Sequence, residues 1–101
     1  MNELFIEPEY LKMLSDIFES YCPSAEIWAY GSRIKGEAHN GSDLDLVVKS
    51  FNSDEVYLFE LKELINKSNI PFLVDIHEFD KLPKSFQDEI KKEYIIIKGG
   101  N

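Results

Sequence analysis

Apolar residues recur along the 101-residue chain with two alternating spacings, which predict helices and strands in turn. Steps of three and four residues separate Leu11, Leu14, Phe18 and Tyr21, and this spacing is typical of one apolar face of a helix. Because proline fits the first turn of a helix, Pro8 marks its expected start. The pattern therefore predicts a first helix from Pro8 to about Tyr21.

Two further helices are predicted from the same spacing. The second covers about Asp54–Lys67, with Asn52-Ser53 as its expected N-terminal cap. The third is shorter and covers Pro83–Lys92, where Phe86 and Ile90 lie one turn apart.

Apolar runs between these helices predict four strands, which are Ala25–Tyr30, Asp43–Lys49, Pro71–Phe79 and Tyr94–Lys98. Gly31-Ser32 is expected to form a sharp turn that opens a short helix through Lys35, and 37–42 a loop. Trp28 and Tyr30 are expected in the core. The alternation predicts an α/β fold with helices packed on a small sheet, in one domain that covers 1–101.

Composition and charge narrow the class of protein. The chain is 44% hydrophobic and 13% aromatic, as globular domains are, and no apolar run approaches the roughly 20 residues of a membrane span. We expect no signal peptide. We also expect no intrachain disulfide, because Cys22 is the single cysteine, and a cytoplasmic location follows as the default. Cys22 precedes Pro23 in a predicted turn and is interpreted as inert. The net charge of −8 argues against binding long nucleic acid directly, but leaves a nucleotide neutralised by a metal ion possible.

Two aspartates at the start of the second strand form the first candidate site. Because side chains alternate along a strand, Asp43 and Asp45 share one face, while Leu44 between them points to the core. Adjacent carboxylates repel each other unless a proton or a cation lies between them, and oxygen ligands favour Mg²⁺ or Mn²⁺. Asp75 interrupts the apolar run of the third strand. If the two strands are neighbours, Asp75 joins the pair around two ions.

The turn before these aspartates has the residues of a phosphate site. Glycine at Gly31 lets the backbone approach an anion, and the Ser32 hydroxyl adds a donor. Arg33 and Lys35 are candidate cations for phosphate oxygens, and Ser42 belongs to the slim loop that follows.

Other motifs are absent or weak. The sequence contains neither GxxxxGK[ST] nor GxGxxG, and the spacing of its aspartates is not that of an EF-hand. His77 shares the face of Asp75 and is interpreted as a hydrogen-bonded strand histidine, and His39 as a solvated loop residue.

The run Gly31-Ser32-Arg33-x-x-Gly36, followed by Ser42-Asp43-Leu44-Asp45 and later by Asp75, resembles the DNA polymerase β-like nucleotidyltransferase superfamily. More closely, it is similar to the minimal nucleotidyltransferases paired with HEPN-domain toxins in toxin–antitoxin operons. The resemblance implies an αβαβαβ plan over nearly the whole chain, with a mixed sheet in which the strand of Asp43 and Asp45 lies beside the strand of Asp75.

The same resemblance implies roles for the site residues. Asp43 and Asp45 would share two Mg²⁺ ions, and Asp75 would bind the ion that activates the attacking hydroxyl. Gly31 and Ser32 would hold the β- and γ-phosphates of ATP, with Lys35 as a triphosphate cation. The implied reaction transfers AMP from ATP to a tyrosine of a HEPN toxin.

Chain length adds an expectation about partners. Only 26 residues follow Asp75, too few for a separate domain that would bind the acceptor. The missing surface is therefore expected from a HEPN protein, from a second copy of the chain, or from both. Two alternatives stay open, a non-catalytic antitoxin that neutralises its partner by contact and an enzyme that modifies a small molecule, as aminoglycoside nucleotidyltransferases do.

Overall fold

The computed structural model describes residues 4–34, 43–52 and 55–100. The helices there are α1 (Pro8–Tyr21), α2 (Leu58–Asn66) and α3 (Lys84–Lys92), and the strands are β1 (Glu26–Tyr30), β2 (Leu44–Ser50), β3 (Val74–Glu78) and β4 (Ile95–Lys98). Two single 3₁₀ turns, Ser32–Ile34 and Phe79–Lys81, follow β1 and β3.

The strands form one mixed sheet in the order β3-β2-β1-β4. β1 lies antiparallel to β2 and to β4, whereas β2 and β3 are parallel and are connected through α2. A parallel pair needs such a crossover, because its strands start at the same end of the sheet. The predicted α/β class, with a small mixed sheet and flanking helices, is confirmed.

The larger core lies between one face of the sheet and the helices α1 and α2. Alternate residues of β2 point into it, and so do Ile27 and Ala29 of β1. Its buried members from β2 and the two helices are Leu44, Leu46, Val48, Leu14, Phe18, Leu61 and Ile65. The predicted inward face of β2 is therefore confirmed. The lone Cys22 is fully buried, in agreement with its interpretation as inert.

A smaller core lies on the opposite face, under α3. Its buried residues are Trp28, Val47, Phe79 and Ile90, and the Trp28 ring stacks on Tyr94 with a centroid distance of 3.9 Å. Trp28 is buried as predicted, whereas Tyr30 is only partly buried and packs at the border of both cores. Since β2 presents Val47 here and Leu46 to the larger core, its odd-numbered residues all face α3.

The start of α2 differs from the prediction. The helix begins at Leu58 instead of near Asp54, and the side chain of its N-cap residue, Tyr57, makes no capping hydrogen bond. Asn52 adopts a left-handed backbone (φ 51°) and its amide donates to the Ser24 carbonyl at 2.9 Å, so it closes a turn after β2 instead of capping a helix. Ser53 and Asp54 lie outside the described residues.

A residue of α1 holds the start of α2. The Tyr21 hydroxyl accepts from the Tyr57 N–H at 3.0 Å and donates to the Tyr57 carbonyl at 3.2 Å. It therefore satisfies a backbone N–H that a capping side chain would otherwise satisfy.

The third strand is shorter than predicted. It covers Val74–Glu78 within the expected 71–79, because Pro71 has no N–H to donate and Phe79 already begins a 3₁₀ turn into the smaller core. No helix among the described residues has the length and apolar character that crossing a membrane requires.

Candidate active site

The turn after β1 lies directly against a carboxylate of β2. Gly31 has a left-handed backbone with φ of 82°. A Cβ atom built on Gly31 would overlap the Asp45 Oδ2 atom and lie 3.2 Å from the Asp45 Cγ atom. Only glycine combines this backbone angle with this close approach. The predicted neighbourhood of the glycine turn and the aspartate pair is therefore present in three dimensions.

The register of the sheet brings the carboxylates together. Asp45 pairs with Asp75 in the parallel ladder and with Tyr30 in the antiparallel one. Asp43 is exposed and lies one residue before β2 begins, where the Leu44 N–H donates to the Leu73 carbonyl at 2.9 Å. The expected adjacency of the second and third strands is thus confirmed, and the aspartates share the face of α3.

Electrostatic repulsion is concentrated at Asp45. Partial burial raises the pKa of the Asp45 carboxyl, the negative charges of Asp75 and Asp43 raise it further, and His77 lowers it. Burial and the charges of Asp45 and Asp75 raise the pKa of Tyr30 to about 12, so its hydroxyl stays protonated at neutral pH. Both shifts come first from burial and then from the negative charges that lie close together here.

This donor set fits a hard divalent cation. It consists of carboxylate oxygens alone, and a cation between them would relieve the repulsion that raises the Asp45 pKa. The three carboxylates do not converge: the part of the chain that the structure describes contains no group of three His, Cys, Asp or Glu side chains close enough to hold an ion.

The side chain of His77 lies against the carboxylate of Asp75. His77 Nε2 lies 3.1 Å from Asp75 Oδ1, and the two side chains are 41% and 48% exposed. The sequence places both residues on one face of the strand, but spacing alone does not tell whether they bond.

Arg33 contacts Phe5 and Phe72. Its side chain is buried, donates from Nη1 to the Phe5 carbonyl at 2.7 Å, and lies over the Phe72 ring at 4.1 Å. These contacts give the guanidinium a structural role between the N-terminal segment and the residues before β3, and none of them supports the predicted phosphate contact. Ser32 is partly buried in its 3₁₀ turn beside Gly31. Lys35 and Ser42, like His39, lie outside the described residues.

A cleft of about 220 Å³ opens beside the glycine turn, between β1 and α3. Phe86 is 44% exposed at its rim and meets the Tyr30 ring edge-on, at 6.1 Å between centroids. The remaining lining residues are Gly31, Glu89, Ile90, Lys92 and Glu93. The sequence places Phe86 one helical turn from Ile90, and only the packing of α3 over β1 shows that it borders this cleft.

The family follows from comparison with known proteins. The sequence matches the family described as Polymerase beta, Nucleotidyltransferase over residues 12–101. The chain therefore belongs to this family and is a nucleotidyltransferase, as its glycine turn and aspartates indicate.

One curated relative is similar over almost the whole chain. It is a probable protein adenylyltransferase MntA from Haemophilus influenzae, 34% identical over 96 residues, which cover 94% of this chain and 84% of the relative. A crystal structure of a toxin–antitoxin with AMP-PNP has a similar fold, with a TM-score of 0.70 at 18% identity. The match covers 90% of this chain and 74% of that chain, and at this identity it shows the shared fold alone.

Proposed function

We propose that this nucleotidyltransferase is a protein adenylyltransferase that moves AMP from ATP onto a hydroxyl of a partner protein. The observation that carries the proposal is the contact of the Gly31 turn with Asp45, which itself pairs with Asp75. This contact places a backbone that can bind an anion next to carboxylates that can bind a cation. A nucleotide that binds together with a metal ion needs both. The similarity to a probable protein adenylyltransferase supports a protein acceptor.

Each site residue has a role in this proposal. The Gly31 backbone and the Ser32 hydroxyl bind the β- and γ-phosphates, with Lys35 and Ser42 contributing from the loop that follows. Asp43, Asp45 and Asp75 would hold two Mg²⁺ ions, which would supply charge neutralisation at the phosphates and a lowered pKa of the acceptor hydroxyl. The acceptor hydroxyl gives its proton to water, its oxygen forms a bond to the α-phosphorus, the bond from that phosphorus to the bridging oxygen breaks, and pyrophosphate leaves.

The proposed acceptor is a tyrosine of a HEPN-domain toxin, and its modification makes this chain an antitoxin. Support comes from the similarity to MntA and from the fold shared with a toxin–antitoxin. The chain's own surface is also consistent with a protein partner. Tyr57 and Phe59 stack on each other at 5.6 Å between centroids and are 62% and 63% exposed, which is unusual for two aromatic neighbours.

Labelled ATP tests the transferred group. The chain, Mg²⁺ and the purified partner are incubated with ATP labelled at either the α- or the γ-phosphate. We expect label on the partner from the α-position alone, and none with Asp43→Ala/Asp45→Ala. Label that arrives from the γ-position, or transfer that survives the double substitution, would overturn the proposed chemistry.

A second candidate function is an antitoxin that acts by contact alone. The exposed Tyr57–Phe59 pair favours it, because this pair lies on α2 and its N-terminal flank, apart from the aspartates. The two functions differ in one cell-based result. The contact mechanism predicts that Asp43→Ala/Asp45→Ala still protects cells from the toxin, whereas loss of protection by a folded double variant supports catalysis.

A further inference from the structure

The structure leaves one proposed catalytic carboxylate at an edge of the sheet. β3 is the first strand in the order β3-β2-β1-β4, so its backbone pairs with β2 on one side only. The Asp75 side chain is 48% exposed, and Asp45, its neighbour in the ladder, carries the same charge. Like charges directly opposite each other in a ladder destabilise that arrangement. Asp75 therefore needs a further contact to stay in one orientation.

His77 supplies that contact. Its side chain leaves β3 on the same face as Asp75, since the two residues are two positions apart. The ring nitrogen Nε2 lies 3.1 Å from Asp75 Oδ1, within hydrogen-bond distance. In the ladder His77 pairs with Val47, whose side chain is buried in the smaller core. The neighbour of His77 on this face of the sheet is therefore a buried residue.

From this geometry we infer that His77 is a positioning residue: a hydrogen bond donated from Nε2 to Asp75 Oδ1 holds the carboxylate in one orientation. The inference rests on the proposed function, because it assigns a task to Asp75. Hydrogen bonds of this kind orient metal-binding carboxylates in other sites, and their loss weakens metal affinity or activity about 10- to 100-fold. A donor at Nε2 is all that the role requires, so the charge of the imidazole is not part of it.

The exposure of the His77 and Asp75 side chains makes it possible to distinguish a positioning role from a role in folding stability. An ion pair or hydrogen bond between two side chains that are each about half exposed contributes on the order of 0–1 kcal/mol to folding. Loss of His77 should therefore change function without a comparable loss of stability. A purely structural histidine would change stability and activity together, or neither.

The experiment compares two substitutions of His77 in the full chain. His77→Gln keeps an N–H at a reach similar to Nε2, whereas His77→Leu keeps the bulk and removes the donor. We expect His77→Leu to bind Mn²⁺ about tenfold more weakly in titration calorimetry without nucleotide, and to lower kcat about tenfold or more with the KM for ATP within about twofold. His77→Gln should restore both quantities to within about threefold of wild type, since it restores the donor.

Glu78→Gln is the matched control, because it removes a carboxylate of the same strand that pairs with Lys81 at 2.9 Å. It should leave Mn²⁺ affinity and kcat unchanged. Unchanged affinity and kcat in His77→Leu would overturn the inference, and so would a His77→Gln protein as defective as His77→Leu. A wild-type chain that binds Mn²⁺ but transfers no AMP would refute the proposed function instead, and the affinities would still decide the role of His77.

Discussion

Gly31 is the residue on which the geometry of the site depends most. Its left-handed backbone and its contact with the Asp45 carboxylate are two separate reasons why no side chain fits there. The sequence suggests a glycine turn near the aspartates, but not that the turn touches one of them. That contact depends on how the end of β1 is aligned with the start of β2, which residue types alone do not determine.

Gly31→Ala tests this requirement. An alanine at this backbone angle is strained, and its methyl group displaces the Asp45 carboxylate, so we expect a loss of about 2 kcal/mol or more in unfolding free energy. Misplacement of a reacting group by about 1 Å also predicts a loss of about a hundredfold in AMP transfer. Denaturant unfolding and the labelled-ATP assay measure the two effects.

Gly99→Ala is the control for this change, because a Cβ atom at Gly99 meets nothing within 4 Å and its backbone is not left-handed. It should change stability by less than about 0.5 kcal/mol. Equal stability and transfer for the two alanine variants would contradict the role given to Gly31.

The raised pKa of Asp45 makes a prediction about pH. Burial and the neighbouring aspartates disfavour its ionised form in the folded chain, so its folded pKa exceeds its unfolded pKa. The proton thus favours the folded state, and ionisation destabilises it as pH rises from the unfolded towards the folded pKa. Asp45→Asn should therefore raise the melting temperature at pH 7 without divalent cations, and this gain should shrink and vanish as pH falls below the unfolded pKa of an aspartate. Calorimetry across pH in a chelating buffer measures it.

Asp88 provides the opposite case. A hydrogen bond from Lys84 at 2.6 Å lowers its pKa, so its charge favours the folded chain. Asp88→Asn should lower the melting temperature slightly at pH 7.

The Asp45 prediction has its own contradicting outcome. An Asp45→Asn chain that is less stable than wild type at pH 7 without metal would show that the neighbouring carboxylates do not destabilise the folded chain.

Among the helices and strands, local sequence predicted best where local chemistry decides the outcome. The helix from Pro8 to Tyr21 was predicted from a proline and an apolar stripe, and its bounds agree. The start of α2 was not predicted. Asn52 closes a turn instead of capping the helix, and the Tyr57 N–H donates to the hydroxyl of Tyr21 in α1. Contacts between segments distant in sequence have no signature in the spacing of apolar residues.

Tyr21→Phe tests whether α1 holds the start of α2. The substitution removes one oxygen that makes two hydrogen bonds to the Tyr57 backbone, so we expect a loss of about 0.5–1.5 kcal/mol in stability. Amide exchange should accelerate in the first turn of α2 and stay unchanged in β2. Hydrogen exchange followed by NMR measures both.

Tyr94→Phe is a suitable comparison, because the Tyr94 ring stacks on Trp28 in the smaller core, on the face of the sheet opposite to α2. It should leave exchange in α2 as in wild type. Equal exchange of the Tyr57–Leu61 amides in wild type and Tyr21→Phe would show that the helix start is held by something else.

At the scale of the whole molecule, the order of the strands assembles the site. Gly31, Asp45 and Asp75 come from three consecutive strands or their ends, and the order β3-β2-β1 places them side by side at one end of the sheet. The family resemblance implied this adjacency, whereas the apolar pattern alone left the pairing of β2 with β3 conditional. The parallel pairing confirms it.

The shape of the molecule also bears on its partner. The candidate site lies at the surface with its carboxylates partly exposed, and the cleft beside it holds only about 220 Å³. The proposed nucleotide and protein acceptor together need more enclosing surface than the described residues offer. The acceptor itself is therefore expected to complete the site.

Intact-mass spectrometry of the partner protein tests the central claim most directly. The partner is incubated with ATP, Mg²⁺ and either the wild-type chain or Asp45→Asn, which removes one charge and keeps the shape of the side chain. We expect wild type to add the mass of one AMP group to the partner, on a tyrosine located by fragmentation, and Asp45→Asn to add none. A mass gain of a single phosphate, an unmodified partner, or equal modification by both chains would contradict the account.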